Sequence, residues 1–161
     1  RCARDAAIEL GDARLRLEAG PPARFDLLAV DAFSSDAIPL HLLTREALAA
    51  YGRALRPGGV MLIHISNRFL DLEPPLAGSV RDLGWKAMVH DHLLGLVPDG
   101  APDSGSTWVL VARSQADLDR VMAVVNPFEW REPNAPRATR GWTDQRADLL
   151  GALKPDAFAL D

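Results

Sequence analysis

The sequence predicts an α/β domain built on a mostly parallel sheet, and three observations carry that prediction. Short apolar runs alternate along the chain with segments of helical periodicity, the rhythm of βαβ units. One of those runs, Phe25–Val30, is apolar almost throughout, as a strand covered by helices on both faces must be. Turn signals rich in glycine and proline, such as Gly20-Pro21-Pro22 and Arg56-Pro57-Gly58-Gly59, separate the pieces.

Taken in order, residues 6–10 form a short apolar run ended by Gly11-Asp12, and residues 13–18 read as a brief helix. The run Phe25–Val30 follows as a central strand and ends in Asp31. From Thr44, a good N-cap, Leu48, Tyr51 and Leu55 recur at helical spacing until the Pro-Gly-Gly step stops the helix. Residues 60–66 make a second buried strand. A helix then begins near Glu73 with Pro74 and Pro75 in its first turn, carries Leu76, Val80 and Leu83 on one face, and ends at Gly84. Residues 86–92 and 107–113 read as two further strands around a polar loop at 98–105, and residues 114–125 as a helix with Leu118, Val121, Met122 and Val125 apolar. Residues 126–139 are irregular and proline-rich, and Thr143 is expected to cap a last short helix through Leu153.

At 161 residues, with 48% hydrophobic and 25% charged, the chain is long enough for one domain with a real core and unlike a disordered or collagenous sequence. Its 18 Lys and Arg stand against 22 Asp and Glu, and no basic run offers a nucleic-acid footprint. Cys2, the single cysteine, excludes an internal disulfide and a multi-thiol zinc site, which points to a reducing cytoplasm. No apolar stretch approaches the roughly 18 residues of a membrane-spanning helix, and no signal peptide is recognisable. The start at Arg1 rather than Met suggests a chain that begins inside a larger protein.

In sheets of this kind ligands bind beyond the carboxyl ends of the strands, so chemistry is sought in the loops there. The loop Asp31-Ala32-Phe33-Ser34-Ser35-Asp36-Ala37-Ile38-Pro39 puts two carboxylates and two hydroxyls directly after a buried strand. Such carboxylates can bind an amine or act as a general base, or can cap local turns while the serines satisfy backbone groups. Asp12 can reach a nucleoside or cap the helix that starts at Ala13, the cap being the commoner role. His90 and His92 share a strand face, as two metal ligands would, but no third ligand lies nearby in sequence and they read equally as surface histidines. His64 reads as a core histidine with a hydrogen-bond partner rather than as a catalytic base. The four tryptophans are scattered, which suits packing.

Three segments carry a resemblance: Gly11-Asp12-Ala13-Arg14, the run from Phe25 through Pro39, and Leu55-Arg56-Pro57-Gly58-Gly59-Val60. They resemble the spermidine synthase-like polyamine aminopropyltransferases, which have the Rossmann-like class I methyltransferase fold, a mostly parallel sheet with an antiparallel carboxyl-terminal strand, and most closely the bacterial branch fused to a membrane transporter-like region. The likeness continues through His64-Ile65-Ser66-Asn67-Arg68 to Gly141-Trp142-Thr143-Asp144 and Leu149-Leu150. It implies transfer of an aminopropyl group from decarboxylated S-adenosylmethionine to a diamine, without a metal. The rival activities are methyl transfer from S-adenosylmethionine itself and a non-catalytic binding role.

By the same resemblance Asp31 and Asp36 are the catalytic carboxylates, while Asp12, Ala13 and Asp31 hold the adenosyl co-substrate. Ser34, Ser35 and Asn67 face the polyamine. A homodimer, a fused membrane region outside this chain and a cytoplasmic location are also implied. Two departures stand out. The family places its second carboxylate closer to the first, whereas Asp36 stands five residues after Asp31, and His64, Ser66 and Asn67 occupy the place of an expected glutamine and glutamate. Matched to the family, residues 6–10 would be the third strand, with the first two strands and the glycine-rich loop missing and a gap left in the sheet.

Overall fold

The structure is a computed structural model that describes residues 6–32, 40–92 and 105–155. Its centre is a five-stranded mixed sheet in the order β1-β2-β4-β3-β5, formed by β1 (Phe25–Val30), β2 (Leu55–His64), β3 (Lys86–His92), β4 (Ser106–Ala112) and β5 (Trp130–Arg131). β1 and β2 pair in parallel, whereas β4 runs antiparallel to both β2 and β3, and β5 antiparallel to β3. Three strands thus share a direction and the last long strand is inserted against them. Among the described residues no helix is long and apolar enough to cross a membrane.

Strand alternation sorts the core into two layers. On one face Met61, Ile63, Val89, Val109 and Val111 pack beneath the helices α2 (Arg45–Ala54) and α3 (Glu73–Asp82), which contribute Leu48, Tyr51, Leu76 and Val80. On the other, Val60, Leu110 and Ala112 meet Leu118 of the shorter helix α4 (Gln115–Met122). α2 starts where Thr44 Oγ1 accepts the Ala47 N–H at 3.2 Å, the expected cap. α3 carries its two prolines in the first turn, where no intrahelical N–H is lost. The chain leaves that helix through Gly84 at φ +71°, a backbone conformation that glycine adopts without penalty.

Several expectations are corrected. The Pro-Gly-Gly step does not separate helix from strand: β2 begins at Leu55, directly after α2, and the step is a bulge inside it, where the register jumps from Phe25 opposite Leu55 to Leu27 opposite Val60. Pro57 has no N–H to pair and Gly58 sits at φ +80°, so these residues bend a strand instead of starting one. β1 has the expected span but not the expected surroundings. Among the described residues β2 is its only neighbour and it lies at the margin of the sheet, with Phe25, Leu28 and Val30 turned inward and Leu27 56% exposed. Residues 6–10 join no sheet and expose Ile8 and Leu10, because apolar content alone makes no strand without a partner's hydrogen bonds.

The helix expected from Thr143 to Leu153 is absent. Thr143 and Arg146 exchange both backbone bonds in a tight turn, Asp148 Oδ1 accepts the Gly151 N–H at 2.9 Å, and Leu153 pairs with Leu70. These local bonds satisfy the backbone that a helix would have used. The segment is held down by buried Trp142 and by close backbone contact with α3, where a Cβ on Gly78 would lie 2.6 Å from the Gly141 nitrogen. α4 is shorter than expected at its carboxyl end, and the irregular stretch after it contains the 3₁₀ turn Pro127–Glu129 and β5.

Candidate functional site

The topology gathers the carboxyl ends of β1, β2 and β3 and the start of β4 along one edge of the sheet. Asp31 is the first residue beyond β1, and His64 is the last of β2. The parallel pairing of those strands brings the two side chains together, with His64 Nδ1 2.9 Å from Asp31 Oδ1. The other ring nitrogen, Nε2, lies 2.8 Å from Ser66 Oγ, and Ser66 Oγ also accepts the Thr107 backbone N–H at 2.8 Å. The imidazole is stacked on Trp108, its register partner on β4, with ring centroids 4.8 Å apart and planes 26° from parallel.

Hydrogen-bond capacity fixes the proton positions. An ionised carboxylate only accepts, so Nδ1 carries the hydrogen of a neutral His64, Nε2 accepts, and the Ser66 hydroxyl donates to it. Ser66 then uses a lone pair for Thr107, and every group in the chain Asp31–His64–Ser66–Thr107 is satisfied. Asp31 stays 59% exposed in its side chain whereas His64 is 21% exposed, so the carboxylate is ordered from the protein side and open on the other. Further along the edge, Thr107 Oγ1 donates to Asp91 at 3.0 Å, and Arg131 bridges Asp91 at 2.7 Å and both oxygens of Glu73 at 2.6 and 2.8 Å. This second array ties β3, β4, β5 and α3 together.

Asp12 caps α1 (Ala13–Ala19), its Oδ1 accepting the Leu15 N–H at 2.9 Å while Oδ2 lies 3.0 Å from His41 Nε2. The capping bond, aided by His41, holds its carboxyl below the ordinary range. Ala13 is exposed at the helix start. Next to it Arg14 grips Asp144 with two bonds of 2.6 Å and donates to the His41 carbonyl at 3.0 Å, while Thr44 Oγ1 donates to Asp144 at 2.8 Å. This pairing keeps Asp144 at about 2. A cleft of about 540 Å³ opens here, lined by Arg14, His41, Thr44 and Asp144 among others. A second cavity of about 620 Å³ lies against Trp142, Asp71 and Lys154 and touches neither Asp12 nor Asp31.

Of the remaining candidates, Ser34, Ser35 and Asp36 lie outside the described residues. Asn67 spends its side-chain oxygen on its own turn, accepting Phe69 N–H at 2.9 Å and Leu70 N–H at 2.8 Å, and its carbonyl accepts Lys154 Nζ at 2.7 Å. His90 has Glu129 at 3.6 Å and the Trp130 ring at 5.2 Å. Among the described residues no group of three or more His, Cys, Asp or Glu could hold a metal ion. The residues alone set the Ser66-Asn67-Arg68 loop on the same sheet edge as Asp31, but did not identify His64, stacked on Trp108, as the group that joins Ser66 to Asp31. The available signal was the two-residue spacing of His64 and Ser66, which turns both to one side at the end of a strand beside the Asp31 strand.

No protein-family model and no curated protein matches the sequence. Among solved structures, a probable spermidine synthase from Corynebacterium glutamicum ATCC 13032 superimposes with a TM-score of 0.57 at 17% identity, over 88% of this chain and 55% of that one. MnmC2 from Aquifex aeolicus matches at 19% identity and a TM-score of 0.42, over 80% of this chain and 38% of that one. The chain therefore spans about half the length of the first structure, with which it shares an α/β, Rossmann-like fold.

Proposed function

We propose that the chain is a portion of a spermidine synthase-like transferase, in which Asp31 receives the amine and Asp12 the adenine of the adenosyl co-substrate. The observation that carries this reading is Asp31 itself, a carboxylate at the carboxyl end of a sheet strand, ordered by His64 yet open to a ligand.

An alkylammonium has no lone pair, so it must lose a proton before it can attack. Asp31 first pairs with the ammonium of a diamine and then takes that proton, becoming a carboxylic acid. The neutral amine attacks the propyl carbon bonded to the sulfonium. A C–N bond forms, the C–S bond breaks with its electron pair retained by sulfur, and methylthioadenosine leaves as a neutral thioether. The product nitrogen stays protonated as a secondary ammonium, and Asp31 gives the proton it took to solvent, which restores the carboxylate. Holding amine and sulfonium together supplies much of the rate. Asp12 retains acceptor capacity on Oδ2 for the exocyclic amino group of adenine while His41 steadies that oxygen.

The test is Asp31→Asn in the natural full-length protein, assayed with decarboxylated S-adenosylmethionine and putrescine. Transfer should be abolished and calorimetric binding of methylthioadenosine nearly unchanged; undiminished turnover overturns the assignment. Consumption of S-adenosylmethionine in place of the decarboxylated donor selects a methyltransferase. Absence of methylthioadenosine binding selects a non-catalytic domain.

A further inference from the structure

We propose that His64 is a positioning residue for this site, clamping Asp31 Oδ1 so that Oδ2 is presented to the amine. This rests on the transferase reading of Asp31. An aspartate at the end of a strand, with 59% of its side chain exposed, would otherwise populate several rotamers, and only some would aim an oxygen at the reacting nitrogen. Three constraints fix the imidazole instead. Its strand is paired on both sides, by β1 and β4. Its ring lies on Trp108 at 4.8 Å, and Nε2 is held by Ser66, whose oxygen is anchored to the Thr107 backbone N–H. The order in that rigid part of the sheet is passed to Asp31 through one bond of 2.9 Å. His64 holds Oδ1 of a carboxylate that is 59% exposed, and Oδ2 is the oxygen offered to the amine.

The arrangement uses the histidine differently from a general base. With Nδ1–H committed to Asp31 and Nε2 to Ser66, His64 orients the carboxylate, and Asp31 takes the proton. Other titratable groups near the pair are His90, which has Glu129 at 3.6 Å, and Asp91, bonded to Arg131. They remain the same in the variants below.

Two substitutions separate positioning from packing. His64→Phe keeps a ring on Trp108 but has no donor, whereas His64→Asn lacks the ring but offers an amide N–H near the position of Nδ1. In the full-length protein with decarboxylated S-adenosylmethionine and putrescine, His64→Phe should lower kcat roughly 100-fold with the donor KM little changed, the size of effect that follows a misplaced reacting group. His64→Asn should restore most of the loss. Independently of turnover, the Asp31 side chain, followed by NMR couplings without substrate, should average over several rotamers in His64→Phe and return to one in His64→Asn, because the bond that fixes it has been removed and replaced. A single Asp31 rotamer retained in His64→Phe, or equal impairment of the two variants, overturns the role of His64. If the rotamers behave as stated but the wild-type protein transfers no aminopropyl group, the positioning of Asp31 stands and the transferase reading falls.

Discussion

Removing one charge from the Arg14–Asp144 clamp should cost stability at neutral pH and little in acid. In Asp144→Asn the carboxylate loses its charge while its shape and most of its contacts remain. Arg14 makes two bonds of 2.6 Å to that carboxylate and Thr44 a third of 2.8 Å, which joins α1, the start of α2 and the carboxyl-terminal turns at one point. The guanidinium side chain is 13% exposed and the carboxylate 40%, so the pair lies between a surface bridge and a buried one. Charge-assisted bonds of this geometry contribute about 1.5 to 3 kcal/mol when shielded. Solvent screening of the exposed half brings the expected loss to about 1 kcal/mol.

The pH dependence distinguishes a charge effect from a packing effect. Arg14 holds Asp144 at about 2 in the folded protein, below its ordinary 3.8. The contribution is therefore fully present above the unfolded value and is lost as pH falls through the folded one. Urea unfolding of wild type and Asp144→Asn at pH 7 should differ by about 1 kcal/mol, a shift in melting temperature of about 2 to 4 °C for a chain of this size. At pH 3 roughly half the gap should remain. A gap that is the same at both pH values would refute the clamp as an electrostatic device, and no gap at pH 7 would show that the charge contributes nothing.

Gly141→Ala should be among the more damaging small substitutions, since its Cβ would enter the backbone of Ser79, and a loss of about 2 kcal/mol or more is expected by urea unfolding. Tyr51→Phe, which removes the hydroxyl that donates to the Leu42 carbonyl at 3.1 Å in the core, should lower stability by about 1 kcal/mol in the same assay. Asp12→Asn keeps a competent helix cap and so should unfold at nearly the wild-type urea midpoint, whereas Asp12→Ala should unfold at a lower one. If Asp12 also holds adenine, both variants should weaken methylthioadenosine binding about tenfold in calorimetry, the size of one charged hydrogen bond.

The sequence was most informative where local chemistry decides the outcome. Thr44 before a helical repeat, paired prolines opening α3, and Gly84 closing it are signals that act within a few residues, and each element formed where expected. It was least informative where a partner decides. Residues 6–10 and 25–30 look alike as apolar runs, yet only the second has a neighbouring strand to pair with. The turn segment after Trp142 carries helix-compatible residues, but the pull of Arg14 on Asp144 and the close contact of Gly141 with α3 come from parts of the chain far away in sequence. The position of Asp31 just beyond a strand was legible from the apolar run before it. Its coupling to His64 was not, because it depends on parallel pairing between strands more than thirty residues apart.

The outer side of β1 has a bearing on the behaviour of this chain in concentrated solution. Six residues of strand, about 20 Å long at roughly 3.3 Å per residue, present backbone donors and acceptors with no partner among the described residues, beside an exposed Leu27. Such a margin is a template on which another polypeptide can crystallise its own backbone, and association along it grows with concentration. Asp26, outward and paired with Arg56 at 2.6 Å, is the one charge within the strand that opposes such stacking. Neutralising it would remove a gatekeeper from the seam and leave colloidal behaviour, rather than folding, as the property most sensitive to that position.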